Sequence, residues 1–315
     1  MSLTLKVENI RQCTSKIRLI ELVGEQGEAL PDYTAGAHIK VDVGDKGQRA
    51  YSLIQWSGAL SSPSRYIIAV QREDAGEGGS AFMHTLTIGQ TLTASKPDND
   101  FELCEHKDPV VLIAGGIGIT PIITMAATLL DQGRIFHCHY TGRTRSSMAL
   151  LTELEQHIGS CLSIYTDDEA PLDINTLIDN CDASSHLFIC GPKGMIDAVR
   201  SKAVAANFMP EQIHIELFNS PEAENSDRNF EVEVSSTGQV YVIPVGQSII
   251  DVLNAEGIDL VFDCQRGDCG ICQVDVLSGI PDHRDVVLSD EERSSGNVMQ
   301  ICVSRAKSDR LVLDI

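Results

Sequence analysis

The chain has 315 residues, 43% hydrophobic and 22% charged, which is ordinary folded composition and room for two or three domains. Its formal net charge of −21 argues against nucleic acid as a partner, since phosphate binding rewards basic surfaces; the acidity serves solubility or docking to a basic patch. No run nears the roughly 20 apolar residues of a membrane span, the N-terminus lacks a signal-peptide core, and ten cysteines in such a chain do not read as a disulfide framework, so a cytoplasmic protein is expected.

In chain order, the first ~100 residues alternate in period two: Leu3-x-Leu5-x-Val7, Ile39-x-Val41-x-Val43, Tyr66 to Val70 and Thr91 to Ala94. An antiparallel sheet or small barrel is predicted there. From Asp108 strands alternate with helices. Strands are expected at Val110–Ala114, Ile135–Thr141, Leu162–Thr166, His186–Cys190 and Ile213–Leu217, with helices beginning near Pro121, Ser147, Asp173 and Pro192. This spacing predicts a parallel, doubly wound sheet. Residues 219–229 are polar and aperiodic and read as a linker. A hairpin (Phe230–Val234, Val240–Pro244) and a helix bearing Ile249, Val252 and Leu253 follow. The expected division is 1–104, 105–220, a linker at 221–229, and 230–315.

Two glycine turns end strands of the central region. Gly115-Gly116-Ile-Gly118-Ile-Thr120-Pro121 follows an apolar strand, with Thr120 expected as N-cap and Pro121 at the first helical position. A capped helix behind a glycine turn suits a pyrophosphate. The second turn is Cys190-Gly191-Pro192-Lys-Gly-Met195.

Near the C-terminus stands Cys264-x4-Cys269-x2-Cys272, with Cys302 further on. This is the plant-type ligand spacing for a [2Fe–2S] cluster. Gly267 and Gly270 let one loop wrap the cluster and aim backbone N–H groups at the sulfurs. Structural zinc favours two short C-x2-C pairs, and only one is present. All four cysteines are retained, so a Rieske-type role for His283 is not expected.

Around these residues, including Asp282-His-Arg-Asp285 and Cys302-Val-Ser-Arg-Ala-Lys307, the chain resembles phthalate dioxygenase reductase-type proteins, within the ferredoxin–NADP reductase superfamily. The resemblance implies three modules: an antiparallel β-barrel flavin domain, an α/β parallel-sheet nucleotide domain and an α+β plant-type ferredoxin (β-grasp) domain. It implies FMN held by Arg49-Ala50-Tyr51-Ser52, by Val70-Gln71-Arg72 and by Gly78-Gly79-Ser80, with Thr120 and Phe218 contributing. Gln71 stands where the family usually has lysine. No segment clamps an adenine, so FMN rather than FAD is expected. NAD(P)H is expected against Gly115, Gly116, Gly118, Thr120, Pro121, Arg143, Asp167, Cys190, Gly191, Pro192 and Met195. Arg143 and Arg145 suit NADPH; Asp167 and Asp168 disfavour a 2′-phosphate, and NADH is the leaning. Ser52, Cys190 and Glu216 are implied as orienting groups at the hydride site, with no side-chain acid or base. The bland reading of Cys190 is a buried thiol before a turn.

The implied activity is that of an oxygenase reductase component: hydride from NADH to FMN, then single electrons through the cluster to a separate Rieske-type oxygenase. The chain is expected to act as a monomer. The alternatives are a stand-alone diaphorase with a small-molecule acceptor and a redox-sensing electron carrier.

Overall fold

The computed structural model describes residues 2–57, 63–74, 76, 78–105, 107–218, 224 and 226–315. Two compact units emerge, Met1–Glu216 and Leu217–Ile315.

In the first unit, β1 (Ser2–Gln12), β2 (Ile17–Gly24), β3 (His38–Asp42), β4 (Gln48–Ser52), β5 (Tyr66–Gln71), a short helix α1 (Gly79–Met83) and β6 (Thr91–Ser95) build one antiparallel sheet, ordered β4-β3-β6-β1-β2-β5. Just past β4 the N–H of Ile54 donates to Ile67 O in β5 at 2.8 Å, which joins the two ends of the sheet and curls it into a barrel. Leu5, Val7, Ile20, Leu22, Ile39, Val41 and Ile68 fill the interior.

The same unit continues with β7 (Val110–Gly115), α2 (Ile119–Asp131), β8 (Phe136–Gly142), α3 (Leu151–Ile158), β9 (Leu162–Thr166), α4 (Ile174–Asp179), β10 (His186–Cys190), α5 (Lys193–Ala205) and β11 (Ile213–Glu216). All neighbours are parallel, in the order β11-β10-β7-β8-β9. β7 is buried at every position, as a central strand covered on both faces must be. A second core unites this sheet with the outside of the barrel: Ile17, Leu19, Ile54 and Ala69 pack with Leu112, Ile122, Met125 and Phe188.

The helix after β7 begins earlier than expected. Gly116–Gly118 form one turn of 3₁₀ helix that runs straight into α2, with Gly118 at the N-cap. Thr120 is therefore not the cap. It is buried in the first turn, where its Oγ1 donates to Ile117 O at 3.1 Å. Pro121 also lies in that turn, where its missing N–H costs nothing. The helix expected near Ser147 starts at Leu151, because Thr144 and Ser147 cap a separate 3₁₀ turn. Asp173 caps α4 through the N–H groups of Asn175 and Thr176.

In the second unit, β12 (Phe230–Val234), β13 (Gln239–Ile243), α6 (Ile249–Ala255), β14 (Gln273–Ser278), β15 (Pro281–Asp282), α7 (Asp290–Ser295), β16 (Val298–Gln300), β17 (Arg305–Ala306) and β18 (Arg310–Leu313) form a mixed sheet, β13-β12-β18-β14-β16, plus a β15-β17 ribbon. Among the described residues of this unit only β12 and β18 pair in parallel. Ser248 caps α6, which buries Ile249, Ile250 and Leu253, worth about 1.5–3 kcal/mol each in removed apolar surface. Of the expected linker, residues 219–223 and 225 lie outside the described residues. Asp227 to Asn229 are bonded into the second unit: Arg284 clamps Asp227, Arg305 donates to Arg228 O at 3.1 Å, and Val245 N–H donates to Asn229 Oδ1 at 3.0 Å.

Among the described residues no helix is long and apolar enough to cross a membrane.

Candidate functional site

The strand order of the parallel sheet reverses between β7 and β10, and in open α/β sheets ligands bind beyond the carboxyl ends of the strands at such a point. Both glycine turns lie there. They touch backbone to backbone: a Cβ on Gly118 would stand 2.3 Å from Cys190 O, and one on Gly191 would stand 2.9 Å from Gly115 N. A Cβ on Gly115 would meet Pro192 Cδ at 2.6 Å and Met195 Sδ at 3.0 Å. Gly116 takes φ +56°, open to a residue without Cβ at low cost. So two motifs more than 70 residues apart form one cleft wall, with room for glycine alone at three positions.

Cys190 and Glu216 are register partners on β10 and β11, both buried, with Cys190 Sγ 4.0 Å from Glu216 Oε2. Gly142 and Thr166 pair at the ends of β8 and β9, and Asp167 N–H donates to Gly142 O at 3.1 Å. Arg143 and Asp167 thus follow neighbouring strand ends, both exposed. Arg145 is turned to Glu155.

In the barrel, Arg49, Ala50, Tyr51 and Ser52 run along β4. The stem of Arg49 lies against Gly79, where a Cβ would come 2.8 Å from its Cγ; its Nη1 donates to Lys46 O and Gln48 O at 2.9 and 2.8 Å. Gly78 is left-handed (φ +94°), which turns the chain into α1 beside the arginine. Ser80 Oγ accepts from Glu73 N–H at 3.0 Å. Arg49 and Gly78–Ser80 are therefore brought together, 30 residues apart in sequence. Lys46, unremarked in the sequence, adds a second cation: its Cε would be 3.4 Å from a Cβ on Gly78. Burial pushes the Tyr51 phenol up to about 12, against the pull of Arg49, so it stays neutral. Ser52 is buried. Val70 is buried and its carbonyl lies 3.0 Å from His84 Nε2; Gln71 turns to Glu73 and Arg72 to Asp74.

A residue with no sequence signal links barrel and cleft. Thr124 of α2 donates to Leu53 O at 2.8 Å and accepts from Gln55 N–H at 3.0 Å. It fixes the exit of β4, and with it Ser52, against the helix that starts at the glycine turn.

In the second unit the four cysteines converge. Cys272 and Cys302 are buried; Cys264 and Cys269 are half-buried. Hydrogen bonds from the thiols of Cys269 and Cys302, and from the Arg266 N–H at 3.3 Å, hold Cys264 far below a free thiol. Cys269 and Cys302 are pushed up in turn, each chiefly by the bond to Cys264. The four thiols form one linked group, Cys264 with Cys269 and Cys302 and Cys302 with Cys272, and with an amide N–H on one of them they fit a [2Fe–2S] cluster. The loop needs left-handed turns to achieve this, at Gln265 (φ +53°), Gly267 (φ +86°) and Gly270 (φ +77°). A Cβ on Gly267 would come 2.7 Å from Val303 and 3.0 Å from Asp285 Cα.

Asp285 explains how that contact is held. Its buried carboxylate accepts from the N–H groups of Val287 and Leu288 at 3.1 and 2.9 Å and from Arg293 at 3.1 Å, while Val286 N–H donates to Gly267 O at 2.9 Å. His283 lies beside it, Nδ1 4.0 Å from Asp285 Oδ1. Gln300, buried and unforeseen, places Oε1 3.4 Å from Cys272 Sγ and donates to Gln273. Phe218 falls in the second unit; its neighbour Leu217 donates its N–H to Asp268 of the cysteine loop at 2.8 Å.

Comparison with known proteins agrees in both halves. Residues 232–307 match the family of 2Fe-2S iron-sulfur cluster binding domains. The chain is 36% identical over 317 residues to phenoxybenzoate dioxygenase subunit beta of Ectopseudomonas oleovorans, covering 99% of this chain and 97% of that one. It is 38% identical over 323 residues to tetrachlorobenzoquinone reductase of Sphingobium chlorophenolicum, covering 100% and 98%. The solved structure of phthalate dioxygenase reductase, described as modular for electron transfer from pyridine nucleotides to [2Fe–2S], matches with a TM-score of 0.74 and 34% identity, over 100% of this chain and 98% of that one.

Proposed function

Because the chain belongs to the phthalate dioxygenase reductase family, we propose that it is the reductase component of a two-component oxygenase, taking hydride from NADH onto FMN and passing electrons singly through a [2Fe–2S] cluster to a Rieske-type oxygenase. The observation that carries this reading is the backbone contact of the two glycine turns at the switch point, in one chain with the four-thiol pocket. An electron carrier would need only the pocket.

When bound, a flavin accepts a hydride and releases electrons one at a time, which reconciles a two-electron donor with a one-electron cluster. The chain's own residues supply place and field. Arg49, with the backbone N–H groups of Gly78 to Ser80, would hold the FMN phosphate, with Lys46, paired to Asp45, close by. Tyr51 would supply an aromatic surface for the bound flavin, and Ser52 a hydroxyl to orient it. The cleft wall of Gly115–Gly118 and Gly191–Met195 would place the nicotinamide near Cys190 and Glu216. None of these groups has to move a proton.

Asp167 beside Arg143 would repel a 2′-phosphate, which supports NADH over NADPH. Ten cysteines outside any disulfide, four of them cluster ligands in this reading, suit the reducing cytoplasm, and we take the working form to be a monomer.

Cys269→Ser separates the stations. It should abolish reduction of the oxygenase and leave NADH-driven dye reduction within about twofold of wild type. Equal loss of both activities would contradict the proposed path. A second reading, a reductase for small quinones, is favoured by the 38% identity to tetrachlorobenzoquinone reductase. In that case quinone turnover would survive the same substitution and exceed any turnover coupled to a protein.

A further inference from the structure

Three donors from separate segments meet at the other end of the parallel sheet, at the edge formed by β11. His186 opens β10. Register sets Phe188 opposite His214, so the two-residue alternation of a strand puts His186, Phe188 and His214 on one face. His214 stacks on Phe188, with ring centroids 4.3 Å apart and planes within 10°, and on His186 at 5.3 Å. The third donor, Cys104, arrives on the segment between β6 and β7. That segment is fixed where Phe101 packs on Phe188 and where Arg134 donates to Cys104 O at 2.8 Å. The sulfur and one nitrogen of each ring all lie within 4.8 Å of one another, with His186 Nδ1 3.0 Å from His214 Nε2.

We propose that Cys104, His186 and His214 form a binding site for a thiophilic divalent cation, Zn²⁺, with water as the fourth ligand. Zinc takes imidazole nitrogen at about 2.0–2.1 Å and thiolate sulfur at about 2.3 Å, so tetrahedral donors stand roughly 3.3–3.6 Å apart. Side-chain movements of about an ångström close the present group to that size. Nitrogen and sulfur donors without a carboxylate exclude magnesium and calcium, which take oxygen. A hydrogen-bonded imidazole pair alone would explain the 3.0 Å contact, but not a thiol brought to the same point by a different segment. On binding, the thiol proton passes to solvent, and the ring that donates in the imidazole pair takes the neutral tautomer whose N–H lies on the nitrogen away from the ion. The ion then ties the Cys104 segment to the sheet edge, far along the strands from the glycine turns, and stabilises the first unit without entering the hydride path.

The test uses the full-length protein loaded with flavin and iron, so that the cluster cysteines are occupied. Zinc is titrated against a chromophoric chelator, and the bound ion is examined by X-ray absorption at the zinc edge. The expected result is one Zn²⁺ per chain at roughly micromolar affinity or tighter, in a shell of one sulfur and two imidazole nitrogens plus oxygen. Cys104→Ala and His214→Gln should each weaken binding at least about tenfold with iron content unchanged. An all-sulfur shell, no zinc uptake by the iron-loaded protein, or unaltered affinity in both variants would overturn the proposal. Should either variant fail to fold, the shell of the unaltered protein decides.

Discussion

At the scale of single residues, the cleft depends on what is missing from its glycines. A methyl group at Gly118 would stand 2.3 Å from the carbonyl oxygen of Cys190, and backbone cannot yield as a flexible side chain can. Gly118→Ala should therefore cost about 1–3 kcal/mol and push the two turns apart. Steady-state kinetics should show the KM for NADH raised at least about tenfold with the visible spectrum intact. Gly159→Ala is the control, because that site has no atom within 4 Å and no left-handed backbone. Three of the four cysteine ligands are legible because their spacing lies within one loop and records one chemistry, while Cys302 joins them from the segment after β16. The glycine turns are legible as turns, yet nothing local tells Gly118 that Cys190 lies against it. The cap assigned to Thr120 fails for a related reason. A 3₁₀ turn starts the helix two residues earlier, and a hydroxyl suited to capping serves equally well bonded back to Ile117.

At the scale of elements, two ties position the site. Thr124 secures the exit of β4 to α2, and Thr124→Val would keep the shape while leaving Leu53 O and Gln55 N–H without their bonds. About 1–3 kcal/mol per buried group predicts a lower melting temperature for the first unit and slower flavin reduction by NADH in stopped flow. The other tie is the bidentate clamp of Arg284 on Asp227, both nearly buried, which anchors the entry to the second unit. The hydrogen bond from Arg284 holds Asp227 below the ordinary carboxylate value. Its stabilisation is thus complete above about pH 4 and fades as pH falls through the lower folded value. Asp227→Asn should lower the urea midpoint of the second unit at pH 7, by far-UV circular dichroism, and the gap to wild type should narrow below about pH 4. Alternation revealed β1, β3, β5 and β6 but not β2. That strand feeds two cores, Ile20 and Leu22 inward and Ile17 and Leu19 outward against the parallel sheet, so both faces are apolar and no period-two signal survives. Thr124, Lys46 and Gln300 were illegible because their roles are set by tertiary neighbours alone.

At the scale of the whole molecule, barrel and parallel sheet share one core and form one compact unit, and the cysteine-bearing sheet forms another. That division matches the chemistry, with two-electron work in the first unit and one-electron work in the second. The second unit from Arg228 onward carries 15 acidic against 7 basic residues, a field suited to meeting a basic partner. The most direct test of the electron path is an anaerobic titration of the purified protein with NADH, followed in the visible spectrum. Three electrons are needed to fill one flavin and one cluster, so bleaching of both sets of bands should be complete at about 1.5 NADH per chain. An end point at one NADH with the cluster bands untouched, or a colourless protein carrying zinc in the four-cysteine pocket, would contradict the account.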